Sequence, residues 1–322
     1  MKNFLALFNK VGGKEILKQY LRGHVLLFAL TQTLLQGFSK KSLEIVRLSV
    51  NNKILSKLRK KYARFIGEFK DSYQPAERKR SNKVWVCWLQ GMEQAPELVQ
   101  ACFASLKKHL KDREIILLTE ENYRDYVNFP NHIQQKIDSG IITRTHMSDL
   151  LRLELLLKYG GSWIDATVYC SGGEIPDYML DSDLFVFQNL KPGADGHSKL
   201  ISSWFMTACT NHPILQLTQA LLYRYWEKQN AMVDYFLIHD FFQLAIEAYK
   251  EEWSKVIPFS NAVPHILLLR LFELYSEVLW TAVKKQTPFH KLSYKFSQEQ
   301  RDKENTLYKQ IITSGGNYGK QE

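Results

Sequence analysis

The stretch KYGGSWIDATVYCSG, residues 158–172, combines a helix stop, a strand-like run and a single carboxylate. Its two consecutive glycines follow a leucine-rich segment, and glycine readily takes the left-handed conformation that ends many helices. The apolar run WIDATVY (163–169) that comes next has the character of a buried strand, although it contains Asp165. Because side chains alternate along a strand, Asp165 and Thr167 are expected on one face. The stretch therefore predicts a helix, a glycine turn and a strand that carries a polar pair.

Further strands and helices alternate around this stretch, which is typical of an α/β domain with a parallel sheet. The predicted strands are KVWVCWLQG (83–91), REIILLTEENY (113–123), WIDATVY (163–169) and DLFVFQNL (183–190), and the predicted helices are APELVQACFASLKKHLKD (95–112) and THMSDLLRLELLLKYG (145–160). The first strand–helix–strand unit implies a right-handed crossover between two parallel strands. Residues 214–285 are predicted to be mostly helical. We therefore expect an α/β domain at residues 81–300 and a loose C-terminal tail at residues 301–322.

The positive charge of the chain is concentrated in its first quarter. Residues 1–80 hold 18 of the 43 Lys and Arg residues and 5 of the 33 Asp and Glu residues, so this region carries +13 and the remainder −3. The region is predicted to be helical, and the polar segment 71–83 is predicted to link it to the α/β domain. Its most apolar stretch, residues 24–38, is shorter than the roughly 20 residues that a membrane-spanning helix needs. Two interpretations fit this stretch: an interfacial helix on anionic lipid headgroups, or an amphipathic helix packed on the body.

Several common kinds of site are excluded by their motifs. The sequence contains no G-x-x-x-x-G-K-[ST] phosphate-binding loop, no G-x-G-x-x-G dinucleotide motif and no G-x-S-x-G nucleophile turn. The four cysteines are dispersed, with no C-x-x-C pair, which is typical of free thiols in a cytosolic protein and argues against a structural zinc site. No apolar run near the start is followed by a small-residue cleavage site, so no signal peptide is expected.

Two polar pairs near the glycine turn are candidates for chemistry. Asp165 and Thr167 could coordinate a divalent cation or bond a ribose and a diphosphate, because Mg²⁺ and Mn²⁺ favour oxygen ligands. A strand-end aspartate that caps a neighbouring helix is the alternative. Asp149 and Arg152 lie three residues apart on one helix face, either as an i,i+3 ion pair or as part of a site. An ion pair on so apolar a helix is costly, which favours a role in a site.

The longer stretch SDLLRLELLLKYGGSWIDATVYC (148–170) resembles the bacterial capsular polysaccharide synthesis proteins. That family is related to sugar-transferring enzymes that carry an S-D-x-x-R helix, a GG turn and a D-x-D strand. KVWVCWLQG resembles the first nucleotide-binding strand of the family, and TPFHKLSYK (287–295) resembles its C-terminal block, so that the resemblance covers about residues 81–296. It implies a GT-A glycosyltransferase fold, a nucleotide-sugar donor, most often a uridine diphosphate (UDP) sugar, and retention of the anomeric configuration.

The resemblance also implies roles for single residues. Trp88, at the end of the first strand, would stack on the base of the nucleotide. Asp149 would accept hydrogen bonds from hydroxyls of the donor sugar, and Asp165 would bind the ribose or a metal ion. Arg152 would place a positive charge near the diphosphate, where negative charge develops as the sugar departs.

The sequence departs from the D-x-D pattern, because Thr167 stands where the second carboxylate is expected. A neutral hydroxyl is a weaker metal ligand, so a metal ion such as Mn²⁺ or Mg²⁺ is one of two alternatives. In the first, water, His239 or Asp240 completes a metal shell around Asp165 and Thr167. In the second, His290, Lys291 and Lys295 neutralise the diphosphate instead of a metal. His239 and Asp240 are also read as an acceptor-side base or as ordinary core residues.

Together these observations predict a glycosyltransferase that adds one sugar to a lipid-linked saccharide of capsular polysaccharide. The basic N-terminal region would hold it, as a peripheral cytoplasmic protein, at the inner face of the plasma membrane. The rival interpretation is a non-catalytic scaffold that binds an anionic polymer through residues 1–80. Nucleic acid is not expected as a partner, since the remainder of the chain has no basic excess. Transfer of a glycosyl phosphate to a lipid is a third alternative.

Overall fold

The computed structural model describes residues 13–189 and 199–313, and it confirms the α/β class. The strands are β1 (Lys83–Cys87), β2 (Glu114–Leu118), β3 (Gly161–Ile164), β4 (Val168–Cys170), β5 (Leu184–Gln188), β6 (Ile201–Ala208) and β7 (Phe289–Lys291). Five of them form a central sheet in the order β2-β1-β3-β6-β5. Strands β2, β1 and β3 are parallel, whereas β6 is antiparallel to both β3 and β5. Strands β4 and β7 form a separate antiparallel pair.

Helices cover both faces of the central sheet. The helices are α1 (Gly13–Arg22), α2 (Leu26–Gln36), α3 (Lys40–Ser72), α4 (Glu97–His109), α5 (Tyr123–Tyr126), α6 (Asn131–Asp138), α7 (Arg144–Tyr159), α8 (Asp177–Leu180), α9 (Pro213–Lys228), α10 (Leu237–Ala248), α11 (Lys250–Trp253), α12 (Ile266–Arg270), α13 (Glu277–Lys284) and α14 (Gln298–Asp302). The predicted strands at 83–91 and 113–123 and the predicted helices at 95–112 and 145–160 are confirmed as β1, β2, α4 and α7. The segment 214–285 is mostly helical, as predicted.

The alternation of side chains in β1 divides the core between the two faces of the sheet. Trp85 packs in one cluster with buried residues of α3, α7, α9 and α10. Val84 and Val86 pack in the other cluster, together with residues of α4 and β5. Helix α7 is buried over most of its length, because leucines surround it, and this burial fixes its position against the sheet.

The glycine turn holds β3 close to β1. Gly160 and Gly161 have φ values of 69° and 92°, a region that residues with a side chain rarely adopt. A Cβ atom on Gly161 would lie 2.2 Å from the backbone oxygen of Lys83 in β1. Glycine is therefore required at this position for the chain to leave α7 and enter the sheet directly beside β1.

The prediction that WIDATVY (163–169) forms a single strand is wrong. Strand β3 ends at Ile164, and β4 begins at Val168 after a turn that the Val168 amide closes by donating to the Asp165 carbonyl at 2.9 Å. The chain changes partner here: the Asp165 amide donates to Trp204 of β6, whereas β4 pairs with β7. Asp165 and Thr167 therefore lie in a turn directly after the central sheet, not within a strand.

Strand β6 has no counterpart in the sequence prediction, although every one of its residues is buried. Its serines and its threonine interrupt the apolar pattern that indicates a buried strand. These hydroxyl groups are satisfied by partners from other elements: Thr207, for example, lies 2.6 Å from the hydroxyl of Ser162 and donates to the carbonyl of Met179. A strand of this kind is recognisable only when those partners are known.

Helix α3 packs on the body, whereas the two interpretations above concern residues 24–38, most of which form α2. Its buried residues include Val46 and Val50, which join the main core cluster. Arg59 forms two hydrogen bonds of 2.7 Å with the carboxylate of Glu247 in α10. Tyr62 packs edge-to-face on Phe241, with ring centroids 5.2 Å apart.

Helix α2, by contrast, exposes a row of large apolar side chains. The exposed fractions are 79% for Leu27, 52% for Leu30, 74% for Leu34 and 75% for Leu35. No helix in the described residues 13–189 and 199–313 is both long and apolar enough to cross a membrane. Residues 1–12 of the predicted basic region lie outside the described residues.

The predicted linker and the predicted C-terminal tail both contact the α/β body. Residues 73–82, within the predicted linker 71–83, form neither helix nor strand, and Arg78 pairs with Glu252 at 2.8 Å. In the predicted C-terminal tail, the segment 306–313 is packed rather than loose, and Ile312 is fully buried beside α4. The remaining tail residues, 314–322, lie outside the described residues, as does residue 190 of the predicted fourth strand.

Candidate active site

A cavity of about 310 Å³ lies at the end of β3, where the sheet changes from parallel to antiparallel pairing. Open α/β sheets commonly bind ligands at the carboxyl ends of their strands where the strand order reverses, and here it reverses between β1 and β3. Three separate parts of the chain bring charged side chains to its wall: α7 supplies Asp149 and Arg152, the turn after β3 supplies Asp165, and β7 supplies Lys291. The predicted pair from α7 and the predicted aspartate are thus brought together.

Asp149 and Arg152 form the i,i+3 ion pair that their spacing predicts. The distance from Arg152 Nη1 to Asp149 Oδ1 is 3.1 Å, and the two side chains are only 5% and 11% exposed. Arg152 also donates to the backbone oxygen of Ser203 at 2.8 Å and lies 5.0 Å from the centre of the Trp163 ring. The guanidinium is therefore held in one orientation, with its charge directed at the cavity.

A histidine that sequence reasoning missed fixes the other oxygen of Asp149. The indole N–H of Trp226 donates to Nε2 of His146 at 2.9 Å, which leaves the proton of a neutral imidazole on Nδ1. Nδ1 in turn lies 3.2 Å from Asp149 Oδ2 and donates to it. Because His146 stands three residues before Asp149 on α7, the helical spacing was a signal that could have identified it.

Asp165 is surrounded by donors and positive charges. It accepts hydrogen bonds from the indole N–H of Trp163 at 2.9 Å and from Lys291 Nζ at 2.7 Å, and Arg152 Nη2 lies 3.6 Å away. Burial alone would raise the pKa of Asp165, but the charges of Lys291 and Arg152 outweigh that effect and lower it. Asp165 is consequently an ionised carboxylate, and its environment is built for a negative charge.

The ammonium group of Lys291 donates hydrogen bonds to both Asp165 and Thr167, the two residues predicted to bind a divalent cation. Lys291 Nζ lies 2.7 Å from Asp165 Oδ2 and 2.7 Å from Thr167 Oγ1. Both oxygen ligands predicted for a divalent cation are therefore already bonded to a positive charge. Within residues 13–189 and 199–313, no group of three or more His, Cys, Asp and Glu residues is arranged to hold a metal ion. As arranged, these residues do not fit a resident Mn²⁺ or Mg²⁺ ion.

The structure separates His239 from Asp240. His239 lines the cavity, and burial lowers its pKa to about 4, so the ring is neutral at pH 7. Asp240 is fully buried, and Lys199 Nζ lies 3.7 Å from its carboxylate. Burial, followed by the charge of Asp234, raises the pKa of Asp240 well above its usual range. His239 thus faces the cavity, whereas Asp240 is buried beside Lys199 and does not line it.

His290 points away from the site, because neighbouring residues of β7 face opposite sides. It is fully buried, its Nε2 lies 3.0 Å from the hydroxyl of Ser171, and burial lowers its pKa to about 3. An uncharged imidazole on the far side of the strand does not neutralise a diphosphate. Of the predicted pair, only Lys291 reaches the cavity, and the predicted third residue, Lys295, is exposed.

Trp88 directly follows β1 and is half-buried. Its ring packs edge-to-face on Tyr294, with centroids 5.6 Å apart, and its buried indole nitrogen has no hydrogen-bond partner among the described residues. Trp88 is not among the described residues that line the cavity. Its predicted stacking on a nucleotide base stays a prediction.

The comparisons with known proteins point to one family. The family model described as capsular polysaccharide synthesis protein matches residues 35–311, which includes all of α3 as well as the segment 81–296. The glycosyltransferase afumC of Aspergillus fumigatus is 30% identical over 109 residues, 29% of this chain and 26% of that protein. The chain thus spans about a quarter of that relative. The PaToxG glycosyltransferase structure has 15% identity and a TM-score of 0.37 over 83% of this chain and 96% of its own, and such a score does not establish a shared fold.

Proposed function

Since the chain belongs to the capsular polysaccharide synthesis protein family, we propose that it is a glycosyltransferase that moves a sugar from a nucleotide-sugar donor to a saccharide acceptor. The observation that carries this proposal is the convergence of Asp149, Arg152, Asp165 and Lys291 on one cavity. Two fixed carboxylates and two fixed cations match a ligand that carries both hydroxyl groups and a diphosphate. A UDP-sugar is the donor that we propose, within a GT-A type of nucleotide-binding arrangement.

In this proposal, the carboxylates bind hydroxyl groups of the donor. Asp149 has one oxygen bonded to His146 and the other to Arg152, and each oxygen retains a lone pair for a donor hydroxyl. Asp165 is held in the same way by Trp163 and Lys291. Both side chains are preorganised, so binding a donor costs little reorganisation.

The cations offset the charge that develops on the leaving diphosphate. The guanidinium of Arg152 is oriented by the backbone oxygen of Ser203 and by the ring of Trp163. Lys291 supplies, beside Asp165, the positive charge that a metal ion supplies in enzymes with a complete D-x-D strand. We therefore propose that donor binding is independent of a divalent metal ion.

We propose that transfer retains the configuration of the sugar. The bond from the anomeric carbon to the diphosphate oxygen breaks, and the acceptor oxygen bonds to the same face of that carbon. The proton of the acceptor hydroxyl passes to the departing phosphate oxygen, so the step balances without a further base. Asp149 and Asp165 are both committed to ion pairs, which suits binding better than attack on the sugar.

We also propose that the acceptor is linked to lipid and that α2 lies on an anionic membrane at the inner face of the plasma membrane. The apolar row of α2 lies in the region that carries +13, so anionic lipid complements both features. The test is sedimentation with vesicles rich in phosphatidylglycerol. Leu30→Ser with Leu34→Ser should reduce binding about tenfold or more, whereas Leu269→Ser, which removes a 78%-exposed leucine from the body, should not. Equal binding of all three proteins would contradict the membrane proposal.

The test of the activity is release of UDP from a panel of UDP-sugars, with GDP-, dTDP- and CMP-sugars in parallel. The wild-type protein should release UDP from one of the UDP-sugars. Asp149→Asn should reduce the rate of that release about a hundredfold or more. Asp125→Asn is the control, because Asp125 is an exposed aspartate outside the cavity. Release of no nucleotide from any donor would favour the non-catalytic scaffold and overturn the proposal.

A further inference from the structure

A second cavity, of about 450 Å³, lies between helix α3 and the body. Helix α3 contributes Glu44, Arg47 and Asn51 to one wall, and Asn189 and Asn261 lie on the body side. Helix α3 is anchored to α10 further along its length, so this wall is held in place by the fold. The cavity is therefore built by the N-terminal helical region together with the α/β body.

The second cavity meets the candidate donor site. Ser202, Phe236 and His239 line both cavities. Trp204, in the wall of the first cavity, donates its indole N–H to Asn261, in the wall of the second, at 2.8 Å. In a sugar transfer, the acceptor hydroxyl must lie against the anomeric carbon of the donor. A site for the acceptor has to adjoin the donor site in this way.

The polar side chains of the α3 wall are free to bind a ligand. Among residues 13–189 and 199–313, Glu44, Arg47 and Asn51 have no side-chain hydrogen bond or ion pair with one another or with any other residue. A carboxylate, a guanidinium and an amide together accept and donate hydrogen bonds, which is what a ligand rich in hydroxyl groups requires. Phe236 adds an apolar surface against which a sugar ring can pack.

We infer that the second cavity binds the saccharide end of the acceptor, with α3 as a wall that selects it. This inference rests on the proposed glycosyltransferase function. His239, at the junction of the two cavities, contacts the acceptor and positions its hydroxyl group towards the donor. Leu48 lines the same cavity and Ile45 is exposed beside it on α3, so the opening has an apolar edge along which the lipid portion can leave.

Asn51 and Asn52 provide a matched pair for the test. Asn51 lines the cavity and Asn52 is exposed next to it in sequence, outside the cavity. The probes are octyl glucoside, octyl galactoside and octyl N-acetylglucosaminide, used below their micelle concentrations and observed by NMR. Methyl glycosides of the same sugars distinguish recognition of the saccharide from binding of the alkyl chain. Calorimetric titration with UDP reports separately on the donor site.

We expect Asn51→Ala and Arg47→Ala each to weaken binding of an octyl glycoside about tenfold, and Asn52→Ala to leave it unchanged. All three variants should bind UDP as tightly as the wild-type protein. The inference is overturned if no glycoside binds the wild-type protein, or if the Asn51 and Asn52 variants bind alike. Failure of UDP to bind while glycosides still bind would instead count against the proposed function and leave the second cavity as a saccharide site.

Discussion

Replacing Lys291 with methionine removes one positive charge from the centre of the candidate site and keeps most of the side-chain volume. Lys291 Nζ forms two bonds of 2.7 Å, to Asp165 and to Thr167, and its side chain is only 19% exposed. A hydrogen bond to a charged group contributes about 1.5–3 kcal/mol. Because Arg152 remains 3.6 Å from Asp165, we expect the lower half of that range, or about 2 kcal/mol, as the loss in the free energy of unfolding.

The effect on activity should exceed the effect on stability. Loss of one preorganised charge that stabilises a transition state lowers kcat by about 10² to 10³. The assays are urea denaturation and the rate of UDP release at saturating donor. Lys295→Met is the control, because Lys295 is an exposed lysine four residues further along the chain. A Lys291→Met protein that is destabilised but turns over at the wild-type rate would show that Lys291 only holds Asp165 in place, and would refute the reasoning.

Three further results are expected. Trp226→Phe removes the N–H that sets the tautomer of His146, so UDP release should fall about tenfold; an unaltered rate of release would contradict that role. Gly161→Ala adds a Cβ atom 2.2 Å from a backbone oxygen and should cost roughly 3 kcal/mol more in denaturation than Gly173→Ala, whose φ of 88° is similar but whose surroundings are open; equal losses would exclude the clash. Burial lowers the pKa of His290 to about 3, so below its unfolded pKa of about 6.5 the unfolded chain binds the extra proton and stability falls as the pH falls towards 3. Between pH 7.5 and pH 5 the wild-type protein should lose about 2 kcal/mol more than His290→Gln, and equal losses in urea denaturation would contradict this.

The elements that the sequence predicted well are those whose pattern is local. Helix α7 and strands β1 and β2 carry continuous apolar runs with clear ends, and the two glycines after α7 can be understood without tertiary information. Strand β6 and the break at Asp165 depend on partners far along the chain. Thr207 is satisfied by Ser162 and Met179, and β4 is drawn away from the central sheet by its pairing with β7.

The residues of the candidate site likewise divide into those with a local sequence signal and those that depend on distant partners. Asp149, Arg152 and Asp165 belong to one short motif, and the structure places all three at one cavity. The sequence offered a lysine in place of a metal ion only as one of two alternatives. The contact itself could not be predicted, because Lys291 lies 126 residues from Asp165 in the chain. The bond from Trp226 to His146 spans 80 residues, and nothing in the local sequence around Trp226 indicates it.

The most direct test of the account is calorimetric titration of the protein with UDP, in EDTA and in Mn²⁺, for the wild type and for Asp165→Ala. Asp165 would bind the ribose and also holds Lys291 beside the diphosphate, so its loss removes two contributions at once. We predict that UDP binds the wild-type protein equally in EDTA and in Mn²⁺, and that Asp165→Ala binds it at least about tenfold more weakly. Absence of UDP binding to the wild type, binding that requires Mn²⁺, or equal affinity of the two proteins in EDTA would contradict the account.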